Sequence, residues 1–183
     1  MSRFTQTLNP DASQPELAEI YGEVMQNGFG KKTPLNWFTS ISKRPDILAA
    51  CWGFAKSIIL QGQVPATVKQ MIAVKISTAN QCEYCSVIYS RALRAMGVKP
   101  EVIDCVTNDL SLSRVPPSQR AILQFALKAS KHQQNLTDED FQALYDFGLS
   151  QGEVMEILLV AGYTNFINFW AEASGIRVDE AAA

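Results

Sequence analysis

The amino-acid sequence predicts an all-α protein, a helical bundle formed by a single domain over residues 1–183. Signals for helix starts recur along the chain, and the apolar residues between them are spaced with a helical period. No segment shows the apolar–polar alternation of a convincing strand, and no hairpin dipeptide joins two such runs. A length of 183 residues is sufficient for one domain with a substantial core.

Proline marks the expected helix starts in the first part of the chain. In the first turn of a helix the missing N–H of proline costs nothing, because that group has no intrahelical partner. Ser13 and Glu16 add the form of a capping box around the first of these starts. The four prolines are Pro15, Pro45, Pro65 and Pro100.

Capping residues and glycines mark the later helices. Thr137 and Ser150 are each followed by acids within three residues, which predicts a helix N-terminus at both positions. Residues 154–170 are apolar nearly all round, which predicts a helix buried at the centre of the bundle. Residues 64–78 also tolerate a strand, but the proline start and the length favour a helix. Glycines at expected helix stops are Gly62, Gly97, Gly148 and Gly175.

The composition argues against several classes of partner. Hydrophobic residues make up 47% and charged residues 19% of the chain, as in an ordinary soluble globular protein. A net charge of −2 with scattered Lys and Arg predicts no binding to nucleic acid or to an anionic membrane. We expect no secretory signal and no membrane span, because the apolar runs are too short. Four cysteines are too few for a disulfide scaffold, so a reducing, cytoplasmic location is expected.

The segment QCEYCSVIY places Cys82 and Cys85 three residues apart in a predicted helix. Positions three apart face the same side of a helix, so the two sulfur atoms can meet. In a first turn, unpaired N–H groups favour a thiolate, which can attack a sulfur or a peroxide oxygen. The second thiol then resolves the product as a disulfide. The residues alone leave two interpretations open, a redox pair or two small apolar residues in a core.

A metal site is not expected at this pair, and no cofactor is predicted. Zinc would need two further ligands, whereas the only histidine, His132, lies near the end of a distant helix. Cys51 and Cys105 are flanked by helical apolar positions, and we interpret them as packing residues.

The residues on both sides of the Cys-x-x-Cys pair form a longer pattern. The segment VKQMIAVKISTANQCEYCSVIYSRALRAMG resembles the core of the carboxymuconolactone decarboxylase superfamily, in particular its alkylhydroperoxidase AhpD-like and peroxidase-related members. GFGKKTPLNWFTSISKRPDILAACWGFAKSIIL is similar to the N-terminal helical region of that family, and LTDEDFQALYDFGLSQGEVMEILLVAGYTNFINFWAEASGI to its C-terminal helices. The resemblance runs across most of the chain and places the redox motif within residues 65–97, approximately.

This resemblance implies an all-helical AhpD-like fold that assembles as a trimer, dimer or hexamer. In AhpD-like enzymes the cysteine pair reduces hydroperoxides, and a dithiol donor, such as a lipoylated or thioredoxin-like protein, returns the electrons. The family pattern is a glutamate about three helical turns before Cys-x-x-Cys-x-x-x-His, and the glutamate and histidine relay protons to the thiols. By this correspondence Cys85 is the attacking thiol and Cys82 its partner.

The sequence departs from the family at both relay positions. Tyr89 stands at the histidine position and Gln70 at the glutamate position. A histidine with a pKa of about 6.5 accepts a thiol proton at neutral pH, whereas a tyrosine with a pKa of about 10 is a donor there, and glutamine does not ionise. Tyr89 and Gln70 could still hydrogen-bond to each other.

The leading expectation is therefore an AhpD-like thiol oxidoreductase that reduces hydroperoxides with an altered relay and weak activity. The predicted catalytic residues are Cys82, Cys85, Tyr89 and Gln70. Lactone decarboxylation, the reaction that names the superfamily, would need a cluster of acid–base groups that the sequence does not offer. A third interpretation is a non-catalytic, oligomeric redox sensor or interaction protein. Turnover with a recycling dithiol separates the enzyme from the sensor.

Overall fold

The computed structural model describes residues 2–108 and 113–180, and within them it confirms the all-α prediction. Every regular element in these ranges is helical, and no strand forms. The α-helices in chain order are α1 (Pro15–Gln26), α2 (Asn36–Thr39), α3 (Pro45–Ala55), α4 (Ala66–Ala79), α5 (Glu83–Ala95), α6 (Pro100–Asn108), α7 (Pro117–His132), α8 (Asp138–Asp146) and α9 (Gln151–Ser174). A π-helical turn, Lys56–Leu60, extends α3, and a 3₁₀ turn, Gln133–Asn135, extends α7.

The chain forms two compact units. The first comprises the residues up to Ser57 together with those from Trp170 onward, and the second comprises Ile58–Phe169. In the first unit α1 packs against α3, and Trp52 donates a hydrogen bond of 2.7 Å from its indole to Glu23. In the second unit α4 packs against α5, α6 and α7. The second unit holds the whole predicted redox motif.

The sequence signals for helix ends are mostly confirmed. Thr137 and Asp140 form a capping box, and Ser150 and Glu153 exchange the equivalent bonds at the start of α9. The box predicted at Ser13 is wrong, because the hydroxyl and N–H of Ser13 both donate to Asp11, which holds the turn before α1. The four glycines expected at helix stops all have positive φ, a conformation that glycine adopts without steric cost; they are Gly62, Gly97, Gly148 and Gly175.

Residues 66–79 form a continuous helix, as predicted, but this helix starts one residue after Pro65, which marked the expected start. Pro65 is its N-cap, with ψ of 137°, and the Pro65 carbonyl accepts the N–H of Val68. Burial covers most of α4, including Ile72 and Ile76, which have no exposed surface. The β-branched residues that also tolerated a strand therefore fill a helix core, where packing outweighs their weak helix propensity.

A buried ion pair fastens the segment before α4 to α9. Lys69 is 2% exposed, pairs with Glu156, and donates to the carbonyl of Gln61. Glu156 also accepts the backbone N–H of Gln63 at 2.8 Å. Gly62 has φ of +100°, and a Cβ there would collide with the Glu156 carboxylate. The pair is thus satisfied by additional hydrogen bonds, the condition under which a buried charge is tolerated.

Helix α9 is buried on one side only, so the prediction that it is enclosed all round is wrong. Val154, Ile157 and Val160 are buried, whereas Met155 and Phe169 are 62% and 69% exposed. By length and composition alone α9 would be able to cross a membrane. Half of its most apolar window is buried inside the protein, and core helices of soluble proteins pass the same test.

Candidate active site

Both cysteines lie at the N-terminus of α5. Cys82 is the N-cap, with extended backbone angles, and Cys85 follows in the first turn. The N–H of Cys85 donates to the sulfur of Cys82 at 3.4 Å. No disulfide joins the two cysteines, and both are buried, at 0% and 1% exposure. The sequence thus brings the pair together at a helix start, where the N–H contact can stabilise a sulfur that carries negative charge.

The turn from α4 to α5 holds Cys82 in place. The N–H of Cys82 donates to the carbonyl of Ser77 at 3.0 Å. The preceding residue, Gln81, has φ of 58°, a left-handed conformation that is unfavourable for a residue other than glycine. The chain therefore accepts local strain immediately before the first cysteine, as happens where surrounding structure over-determines a backbone.

A polar network that sequence reasoning missed supports this turn. Asn80 donates to Asn165 at 2.9 Å and to Asn168 at 2.7 Å. Asn168, which is 3% exposed, donates in turn to the hydroxyl of Ser77 at 3.0 Å. Ser130 on α7 donates to Asn165 at 2.9 Å. Asparagines at 165 and 168 within the otherwise apolar α9 were the signal that could have revealed this network.

Tyr89 lies one helical turn after Cys85 on the same side of α5, and the two cysteines and Tyr163 act on it electrostatically. Burial raises the pKa of Tyr89 well above 10, and the nearby Cys85, Tyr163 and Cys82 raise it further. The residue as a whole is half-buried. A tyrosine in this state remains protonated, and its hydroxyl is a hydrogen-bond donor beside the thiols.

Gln70 lies on α4, the helix that packs against α5. It is 6% exposed, and its Oε1 accepts no hydrogen bond from any described residue. The Tyr89 hydroxyl therefore donates no hydrogen bond to this Gln70 oxygen. A buried acceptor without a partner is uncommon in native proteins and is destabilising unless a water or ligand satisfies it.

An open cleft of about 430 Å³ lies beside Cys82. Of the four predicted site residues, Cys82 alone reaches it; Cys85, Tyr89 and Gln70 are not among the residues that line it. The lining residues are Thr78, Gln81, Cys82, Glu83, Ser86, Val87, Ser90, Arg94, Thr107 and Asn108. Cys82 itself has no exposed surface, so the cleft brings a bound solute against this residue without exposing its sulfur.

The remaining sequence candidates lie elsewhere. No group of three or more His, Cys, Asp and Glu side chains suited to a metal occurs among residues 2–108 and 113–180. Cys105 is buried, and its sulfur accepts the N–H of Arg114 at 3.4 Å. Cys51 is half-buried, and that burial raises its thiol pKa. His132 is exposed at the end of α7. The structure gives none of these residues a place in the cysteine site.

Comparison with known proteins finds a likeness to one protein family in the middle of the chain. Residues 45–128 match the Carboxymuconolactone decarboxylase family, a range that includes all four predicted site residues. An uncharacterized peroxidase-related protein from Ralstonia eutropha JMP134, described as an alkylhydroperoxidase AhpD core, has a TM-score of 0.86 at 29% identity, with 98% of this chain and 93% of that chain covered.

Two further structures share the fold at lower identity. A peroxidase-related protein from Silicibacter sp. TM1040 has a TM-score of 0.84 at 20% identity, covering 98% of this chain and 95% of that chain. The debrominase Bmp8, as a cysteine-to-alanine variant in complex with 2,3,4-tribromopyrrole, has a TM-score of 0.81 at 23% identity, covering 98% of this chain and 94% of that chain. No curated protein matches this chain significantly.

The family match and the fold together favour an enzyme, and the debrominase shows that the fold hosts more than one activity. Residues 45–128 are less than half of the chain, so the comparisons show an AhpD-like fold over nearly the whole chain and a likeness to the Carboxymuconolactone decarboxylase family within that range.

Proposed function

We propose that the protein is a thiol oxidoreductase that reduces hydroperoxides by cycling Cys82 and Cys85 between dithiol and disulfide. The observation that carries the proposal is the contact between the Cys85 N–H and the Cys82 sulfur at a helix N-terminus. Family and fold support a peroxidase-related or carboxymuconolactone decarboxylase-family function in general. The cycling of Cys82 and Cys85 between dithiol and disulfide is the more specific part of the proposal.

The proposed reaction consumes two thiols and one hydroperoxide. The Cys85 thiolate attacks the terminal peroxide oxygen, the O–O bond breaks, and a sulfenic acid and an alkoxide form. The Cys82 thiol then attacks the sulfenic sulfur, which gives the Cys82–Cys85 disulfide and water. Protons from the two thiols convert the alkoxide to alcohol and the departing hydroxide to water. The order of the cysteines follows the family resemblance.

Tyr89 and Gln70 act in this proposal as a donor and an acceptor rather than as a base. With its raised pKa, Tyr89 keeps its proton and can donate a hydrogen bond to the alkoxide as it develops. The unpartnered Oε1 of buried Gln70 can accept the hydroperoxide O–H. Without a base matched to neutral pH, deprotonation of Cys85 falls to water, and the turnover rate is low.

Steady-state assays test the proposal. A hydroperoxide with dihydrolipoamide or dithiothreitol as recycling dithiol gives slow catalytic turnover in the wild type. Cys85→Ser and Cys82→Ser both stop turnover, whereas Cys51→Ser, which alters a cysteine outside the site, retains it. Turnover that survives both site substitutions would reject the dithiol mechanism. One stoichiometric oxidation without recycling would instead favour the redox sensor.

Lactone decarboxylation is the lower-ranked alternative. Among the residues that the structure describes, Glu83 is the only carboxylate that lines the cleft beside Cys82, and none of these lining residues is a histidine. A lactone substrate consumed at equal rates by wild type and Cys82→Ser/Cys85→Ser protein would favour this alternative.

We also propose that the protein is a homo-oligomer formed through α9. Its exposed apolar residues share one face of the helix and lie about evenly on both sides of Gly162, at which a Cβ would meet no atom within 4 Å. They are Met155, Leu159, Phe166 and Phe169, that is 7 and 3 positions before this glycine and 4 and 7 positions after it. A two-fold interface requires one patch to be complementary to itself, and an apolar stripe centred near a glycine can meet that requirement. A second copy is therefore the proposed occupant.

Sedimentation velocity tests the α9 interface. Leu159→Asp should shift an oligomer to monomer, and Phe147→Asp, another exposed apolar residue on a different segment, should not. An unchanged sedimentation coefficient in the α9 variant would exclude this face, and binding of the wild type to neutral lipid vesicles would assign the stripe to a membrane instead. The reducing cytoplasm is the proposed location, consistent with four free cysteines.

A further inference from the structure

The cleft beside Cys82 has an organised lining that the peroxide reaction does not use. Its residues on α5 recur at helical spacing, so the cleft follows the outer face of that helix. They are Glu83, Ser86, Val87, Ser90 and Arg94. Glu83 and Arg94 are separated along the helix axis by about 16 Å. The cleft is thus an elongated groove with Cys82 and Glu83 at one end and Arg94 at the other.

The groove has a mixed lining. More of its accessible surface is apolar than polar, and side-chain hydroxyls together with Thr107 and Asn108 of α6 supply polar groups. Arg94 is exposed and supplies the one cation among the described lining residues. No carboxylate among residues 2–108 and 113–180 pairs with Arg94. A ligand with carbon atoms along its length, hydrogen-bonding groups between them and an anionic end would find a partner for each part.

We propose that this groove admits a small peptide thiol that carries a carboxylate, and that this thiol reduces the Cys82–Cys85 disulfide. The inference rests on the proposed function, because the disulfide is the product of that reaction. The carboxylate pairs with Arg94 while the thiol lies against Cys82, the one residue of the pair that lines the groove. Cys82 has no exposed surface in the dithiol state, so the attack requires the side chains that cover its sulfur to move. A volume of about 430 Å³ lies at the lower end of the range for small-molecule sites, roughly 300–1,000 Å³.

The reduction balances with two equivalents of thiol. The first thiol loses its proton to Glu83 or to water and attacks the Cys82 sulfur; the Cys82–Cys85 bond breaks and Cys85 leaves as a thiolate, which takes up a proton. A mixed disulfide now joins Cys82 to the peptide thiol. A second thiol attacks the peptide sulfur of this bond and releases Cys82 as a thiol and the peptide as its own disulfide. The two electrons pass from two peptide thiols to the protein disulfide.

The experiment compares two thiols that differ only in their carboxylates, glutathione and its diethyl ester. The disulfide is first formed with diamide, without any hydroperoxide, and its reduction is followed by mass spectrometry of the peptide that contains both cysteines. The rates are measured for wild type, Arg94→Gln, Arg94→Lys and Lys99→Gln. Lys99 is an exposed cation outside the groove, and its substitution removes the same charge.

We expect glutathione to reduce the wild type about three- to tenfold faster than it reduces Arg94→Gln, as for a partly exposed charged contact. Arg94→Lys recovers part of the difference, Lys99→Gln resembles wild type, and the ester shows no dependence on Arg94. The glutathione advantage shrinks in 1 M salt, where charges are screened. In each variant the reduction rate with glutathione is divided by the rate with the ester. This ratio cancels any general effect of Arg94→Gln on helix α5.

Three results would overturn the inference. These are an equal Arg94 dependence for glutathione and ester, the absence of any dependence, or failure of diamide to form the Cys82–Cys85 disulfide. Failure of the proposed function looks different: diamide forms the disulfide and glutathione reduces it through Arg94, but hydroperoxides do not oxidise the pair.

Discussion

The two faces of helix α5 differ sharply. The inner face carries Cys85 and Tyr89, both next to the packed core, and Gln70 lies buried on the adjoining helix α4. The outer face carries charged and hydroxyl side chains and borders an open groove. Cys82, at the N-cap, contacts both environments. One helix thus buries both sulfur atoms and places one of the two cysteines next to a groove that solutes can enter.

The two faces of α5 therefore supply different chemical groups. The inner face has a protonated tyrosine and an unpartnered amide oxygen but no group that accepts a proton readily at neutral pH. The outer face has the charged groups, Glu83 and Arg94. We infer that the inner face limits the rate of oxidation and that the outer face selects the molecules that react with Cys82. Substitutions on each face should therefore have separable effects.

Replacing the inner cysteine should have the largest effect. In Cys85→Ser the attacking sulfur is lost, and hydroperoxide consumption falls to the uncatalysed rate. In Cys82→Ser the first step survives, so Cys85 accumulates as a sulfenic acid that dimedone labels. Mass spectrometry of the labelled peptide checks both outcomes. Dimedone label on Cys82 in Cys85→Ser, with none on Cys85 in Cys82→Ser, would reverse the order of the two sulfurs.

Restoring a base on the inner face should accelerate oxidation. Tyr89→His introduces a side chain with a pKa of about 6.5, which can accept the Cys85 proton at neutral pH. We expect the rate of thiol oxidation near pH 7 to rise by about tenfold or more, because positioned acid–base groups typically contribute 10²–10⁴-fold. Stopped-flow measurement of thiol loss checks this. Tyr89→Phe is the control, which lacks both donor and base, and equal rates in the two variants would remove the relay argument.

The asparagine network behind the cysteine turn should matter for stability. Asn168→Ala removes one of the two acceptors of the Asn80 amide and the donor to the Ser77 hydroxyl, so the free energy of unfolding should fall by about 1–3 kcal/mol. Asn135→Ala, at an exposed position in the 3₁₀ turn, is the matched control and should change little. Urea denaturation measures both. Equal losses in the two variants would contradict a special role for the network.

The unpartnered acceptor of Gln70 gives a smaller effect of opposite sign. Gln70→Leu removes a buried carbonyl oxygen that lacks a hydrogen bond, so unfolding should cost about 1 kcal/mol more. If Gln70 also accepts the hydroperoxide O–H, the same variant oxidises more slowly despite its greater stability. Urea denaturation and stopped-flow oxidation are measured on one preparation. A variant that is less stable and oxidises at the wild-type rate would contradict both parts.

The buried hydroxyl of Tyr89 predicts a pH dependence at the alkaline end. The unfolded chain loses the tyrosine proton near pH 10, approximately, whereas the folded state keeps it because the folded pKa is raised. The folded state then binds more protons, so stability decreases as pH rises above about 10 and does not change below it. Tyr89→Phe should reduce this slope. A residual slope is expected from Tyr21, where burial raises the pKa to about 12. An unchanged slope in Tyr89→Phe would contradict the burial.

The sequence predicts helix positions well where local chemistry determines them. The capping residues at Thr137 and Ser150 and the glycine stops act within one turn, and the structure confirms them. It fails at Ser13, whose side chain and N–H bind Asp11, two residues earlier, instead of capping α1, because two local arrangements compete for the same groups. The one-sided burial of α9 also depends on which helices pack against it, and an all-round apolar pattern does not specify that.

The same distinction applies to the candidate site. A spacing of three residues predicts that Cys82 and Cys85 share a helix start, because that follows from local geometry. The groove toward Arg94 and the bonds between Asn80 and Asn168 arise from helices far apart in sequence, so periodicity could not reveal them. The environment of Tyr89 depends on Tyr163 of α9 in the same way. The roles of the four predicted residues stay predictions until they are measured.

The most direct test of the central claim counts thiols against hydroperoxide in a single turnover. Reduced protein is mixed with limiting cumene hydroperoxide, free thiols are titrated, and the oxidised peptide is mapped by mass spectrometry. The account predicts two thiols lost per hydroperoxide consumed, one disulfide between Cys82 and Cys85, and unmodified Cys51 and Cys105. Consumption of hydroperoxide with both site thiols still free, or no consumption at neutral and mildly alkaline pH, would contradict it.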